Sequence, residues 1–84
     1  MTAGEAGFDE IAFYREIAQE IRARRLSFGM TQKELAAVSG ITQKAVNFLE
    51  RGSCESMATL HKVCVALGLS SSALLRRATE KSRT

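Results

Sequence analysis

The chain is expected to fold as an all-α protein of five helices, and three features of its 84 residues carry that expectation. Proline is absent, and the aromatic residues are only four Phe and one Tyr, which suits a compact helical unit. Apolar residues recur at three- and four-residue steps, with no alternating run of the kind that marks a strand. Thr or Ser stands ahead of most of these runs and Gly closes them, the residue types that start and stop helices.

Residues 1–7, MTAGEAG, are small and polar without periodicity and read as a flexible arm. A first helix is expected from about Phe8 or Asp9 to Phe28, with Ile11, Tyr14, Ile17, Ala18 and Ile21 on one stripe. Gly29 stops it where a left-handed residue is needed. Thr31 and Glu34 form a capping-box pattern for a second helix carrying Leu35, Ala36 and Val38 and ending at Ser39-Gly40. Thr42 caps a third, with Val46 and Leu49 inward and Gly52 as its stop. Ser56 opens a fourth, with Met57, Leu60, Val63, Cys64 and Leu67 on its inner side and Gly68 behind it. Ser70 opens a fifth, through Ala73, Leu74, Leu75 and as far as Ala78. The expected organisation is one domain over residues 8–78, the arm before it and a frayed tail over 79–84.

The net charge of +3 conceals an asymmetry. Residues 1–20 hold five acids and one base, whereas residues 21–84 hold eleven bases and four acids. A basic body points to a polyanionic partner, nucleic acid being the commonest. No apolar run approaches the roughly 18 residues that span a bilayer, and the acidic start is unlike a signal peptide, so a cytoplasmic location is expected. Cys54 and Cys64 lack metal spacing and read as reduced filler, with a disulfide the minor alternative. The lone His61 has no ligand partners at metal spacing, and Ser70 to Ser72 have no base near them in sequence. Neither an active site nor a metal or cofactor site is expected.

The second and third helices are joined only by Ser39-Gly40-Ile41, and so short a link forces a steep crossing. Ala36 keeps the crossing close, Gly40 supplies positive φ, and Ile41, Val46 and Leu49 pack the corner. Those constraints together specify a helix-turn-helix. In DNA-binding examples the second helix enters the major groove by its N-terminal end while the first lies over the backbone. Gln43, first in the third helix, then suits a bidentate pair with adenine, and Gln32, first in the second, reaches a phosphate or braces Gln43. Lys44 and Asn47 share the exposed side, suited to guanine or phosphate and to adenine respectively. Thr42, Lys33 and Arg51 complete the expected DNA-facing set.

From IAQEIRARRLSFGMTQKELAAVSGITQKAVNFLERG to TLHKVCVALGLSSSALL, about residues 17–75, the chain resembles the xenobiotic-response-element-type helix-turn-helix family of lambdoid phage repressors and Cro proteins. The resemblance implies a five-helix, lambda-repressor-like domain binding a palindromic operator as a homodimer, each recognition helix reading one half-site. It implies DNA roles for Gln32 and Gln43, and an ion pair between Arg25 and Glu50. Where the family usually has Leu this chain has Arg24, so Leu26 and Phe28 are expected to fill that part of the core. The loop GSCES lacks the family's frequent basic phosphate contacts, leaving Arg51 and backbone N–H groups.

A transcription regulator, of the repressor or restriction–modification controller kind, is therefore expected. An antitoxin whose main work is to cover a toxin is the rival from another class; the short tails argue against it. For the homodimer, Leu69, Leu74 and Leu75 are the expected interface, since they cannot all face one small core. Arg76 and Arg77 would flank that seam. Phe8, Phe13 and Tyr14 either cap the core or add to an interface.

Overall fold

The computed structural model describes residues 7–83, so all of the expected arm but Gly7 lies outside the described residues. Five helices follow: α1 Glu10–Ser27, α2 Gln32–Ser39, α3 Gln43–Glu50, α4 Met57–Leu67 and α5 Ser71–Lys81. Among the described residues there is no strand. Each helix starts on a side-chain oxygen that accepts an otherwise orphaned N–H: Asp9, Thr31, Thr42, Ser56 and Ser70. At α2 the arrangement is reciprocal, Thr31 Oγ1 accepting from Glu34 N at 3.0 Å and Glu34 Oε1 accepting from Thr31 N at 2.9 Å.

α1 ends in a Schellman turn. Gly29 has φ +67°, its N–H donates to Leu26 O, and the Met30 N–H donates to Arg25 O. Gly40, with φ +73°, makes the left-handed corner between α2 and α3.

The core is one cluster drawn from every helix: Ile17 and Ile21 from α1, Leu35 and Ala36 from α2, Val46 and Leu49 from α3, Leu60, Val63, Cys64 and Leu67 from α4, Leu74 and Ala78 from α5. α1 packs along α5, and α2 and α3 sit together against α1 and α4. Among the described residues no single helix is long and apolar enough to cross a membrane.

Several expectations need correction. Leu26 and Phe28 do not fill the core; both are more than half exposed. Arg24 closes that corner from outside, its Nε donating to Leu67 O at 3.0 Å and its guanidinium lying 5.2 Å over the Phe28 ring. Val38, Met57 and Ile11 also face outward, since each sits at the edge of its stripe where packing, not periodicity, decides. The last helix does not fray at 79. It continues to Lys81, Ser82 is buried, and Ser82 O accepts from Asp9 N at 2.8 Å. Leu74 is fully buried within the single chain, so it is core and not interface. Phe13 and Tyr14 pack against the core, and a chain of ring contacts runs Phe8–Phe13–Tyr14, tilted at the first step and edge-on at the second, with centroids 5.3 Å apart at both.

Candidate nucleic-acid interface

The α2–turn–α3 unit sets two helices side by side, the start of α2 meeting the second turn and the end of α3 through Gln32, Asn47 and Glu50. Ala36, Val46 and Leu49 are buried between the helices, with Ile41 half-buried at the corner. What remains outside is polar: Lys33, Thr42, Gln43 and Lys44 are exposed, and Gln32 and Asn47 are half-buried between the two helices. Thr42 Oγ1 accepts from Ala45 N at 3.0 Å, and Thr42 O accepts from Val46 N. The N–H groups of Gln43 and Lys44 are left pointing out of the helix start, an arrangement that attracts anions.

Behind this face lies a polar chain. Arg25 grips Glu50 with two parallel bonds, Nε to Oε2 at 2.6 Å and Nη2 to Oε1 at 2.8 Å, and its Nη1 donates to Met30 O at 2.7 Å. Both side chains are nearly buried, 9% and 3% exposed, so the bidentate geometry is held where solvent competes little. The Glu50 carboxylate in turn raises the Arg25 pKa above its ordinary value, chiefly through this hydrogen bonding. Glu50 Oε1 also accepts from Gln32 Nε2 at 3.3 Å, and Gln32 Oε1 accepts from Asn47 Nδ2 at 3.3 Å. Gln32 therefore braces Asn47 and not Gln43.

Gln43 stands free of this chain at the helix start. Lys44 folds back so that its Nζ lies 5.5 Å over the half-buried Phe48 ring, one helical turn on. Phe48 escaped the sequence reading because an aromatic at that step fits a core stripe equally well. Arg51 is not brought to the helix start. It follows the far end of α3, about 12 Å along the axis from Gln43. There it lines an open groove with Glu10, Ile11, Tyr14, Arg15 and Gln19.

His61 Nδ1 pairs with Ser71 Oγ at 2.9 Å on the surface. Among the described residues no group of three or more His, Cys, Asp or Glu is placed to hold a metal ion. Leu69 and Leu75 are partly buried against the core of the same chain.

A helix-turn-helix family model, HTH_3, matches residues 21–74. Among solved structures, the clp gene regulator ClgR from C. glutamicum is 32% identical, with 83% of this chain and 91% of that one covered and a TM-score of 0.69. An HTH_3 family transcriptional regulator from Vibrio cholerae is 27% identical over 86% of this chain and 41% of that one, TM-score 0.71. The restriction–modification controller C.Esp1396I, solved on a 19 base pair DNA duplex, is 23% identical and shares the fold, with 82% and 93% of the two chains covered and a TM-score of 0.67. No curated protein matches by sequence.

Proposed function

This chain belongs to the HTH_3 helix-turn-helix family and is a DNA-binding transcription regulator, and we propose that it represses or controls transcription by reading a palindromic operator as a homodimer. The observation that carries this reading is the uncovered start of α3. Gln43 and Lys44 stand exposed there, with Asn47 half-buried one turn further on. Gln43 and Asn47 would read bases, and Lys33, Lys44 and Thr42 would meet bases or phosphates, with Arg51 on the flank. A single short helix spans few base pairs, so two copies would be needed, their half-sites about one helical turn (roughly 34 Å) apart.

With Leu74 removed to the core, Leu69 and Leu75 are the residues proposed to meet the second copy. Selection of bound duplexes from a random library tests the reading. Enrichment of a two-fold symmetric motif with half-sites roughly 10 base pairs apart supports it. Enrichment of an asymmetric motif removes the palindrome, and no enrichment removes base reading altogether.

A further inference from the structure

We propose that Gln32 is a positioning residue that turns the Asn47 amide so that its oxygen faces the DNA, making α3 select a base with an exocyclic amino group at that position. The proposal rests on the base-reading function above and specifies its chemistry.

The argument starts at the buried ion pair. A carboxylate only accepts hydrogen bonds, and both Glu50 oxygens already accept from the Arg25 fork. Gln32 meets Glu50 Oε1 at 3.3 Å, so it must present its NH2 to that oxygen; the opposite orientation would set two acceptors against each other. The Gln32 oxygen is then directed to its other neighbour, Asn47. It can only accept, so Asn47 must turn its nitrogen inward, Nδ2 lying 3.3 Å from Gln32 Oε1. Reversing Asn47 would oppose two oxygens, and reversing Gln32 to accommodate it would oppose Gln32 to the carboxylate. The polarity of Glu50 is thus handed on through two amides.

Oδ1 of Asn47 is left as the outward atom, with no partner among the described residues. In the major groove the donors that suit it are adenine N6 and cytosine N4, whereas guanine O6 and thymine O4 are acceptors and are disfavoured. Gln43 differs: its side chain makes no hydrogen bond among the described residues, so its amide is free to turn. One amide of the recognition helix is preset and the other adapts.

The test uses the full chain on duplexes selected as above. The position read by Asn47 is the one whose preference disappears in Asn47→Ala. There the wild type should favour adenine or cytosine on the contacted strand over guanine or thymine by about tenfold. In Gln32→Ala and in Gln32→Met, which fills similar space, that ratio should fall close to unity while the preference set by Gln43 persists. If adenine is selected, replacing it by purine, which lacks the amino group, should weaken the wild type and leave Asn47→Ala indifferent.

A uniform loss of affinity in the Gln32 variants with the amino preference intact would overturn the proposal, since that is what a phosphate contact or a general stabilising role gives. So would a wild-type preference for guanine or thymine, or an Asn47→Ala protein with no altered position. Only the absence of any preferred sequence in the wild type would strike at base reading itself.

Discussion

Arg25 holds three acceptor oxygens at once, one from Met30 in the link after its own helix and two from Glu50 at the end of α3. Removing it leaves a nearly buried carboxylate without its partner, and for such pairs the loss is about 3–5 kcal/mol. Arg25→Ala should therefore melt well below the wild type, and an unchanged melting curve would deny the pair its structural role. Gln43→Ala touches nothing in the interior, so its melting temperature should hold. Its cost of about 1–3 kcal/mol should appear at one operator position only, in binding to single-base variants. The thiols separate in the same way. Burial pushes the Cys64 pKa up, and that of the half-buried Cys54 as well. A thiol reagent at neutral pH should leave Cys64 unmodified until denaturant is added, and prompt labelling of both would contradict the core placement.

At the scale of helices, α1 and α5 are tied by Arg77, whose Nε and Nη2 both donate to Glu20, the shortest contact being 2.7 Å. Arg77 is thus engaged within the chain. The bonding from Arg77 holds the Glu20 pKa below its usual value, against an opposing push from burial. A carboxylate depressed in the folded state stabilises it fully above its unfolded value, about 4.3, and loses that contribution as pH falls towards the lower folded value. Melting temperature should drop over that acidic interval in the wild type and drop less in Glu20→Gln. Equal slopes would show that the tie contributes nothing.

The starts and stops of these helices were legible because each depends on local chemistry, such as Thr31 with Glu34 or Gly40 at a left-handed corner. The facing of borderline residues was not. Leu74 and Leu75 are adjacent, and only the position of α1 and α4 decides which of them turns inward. Arg24 could replace an apolar residue because a carbonyl 43 positions away accepts from it. The site divides similarly. Gln43 and Lys44 follow from helix register, while the bond from Asn47 to Gln32 depends on how two helices cross.

For the molecule as a whole, the decisive measurement is its mass in solution. Light scattering at micromolar concentration should give twice the chain mass, and Leu75→Glu should return it to one. A wild type that stays monomeric while binding a single half-site tightly would dismiss the homodimer. Leu74→Ala serves as the contrast, because a cavity at a fully buried leucine costs about 2–5 kcal/mol and should lower stability without choosing between one copy and two.

The hydrogen bond from Asp9 N to Ser82 O makes the folded chain a closed loop, with the cap of α1 also serving as the tether of α5. Helix ends ordinarily unravel independently, each exchanging its amide hydrogens at its own rate. Here the two ends share one latch. Asp9→Ala, by loosening the first turn of α1, should speed exchange not only near Ala12 but also around Ala78 and Ser82, some seventy positions later in the sequence.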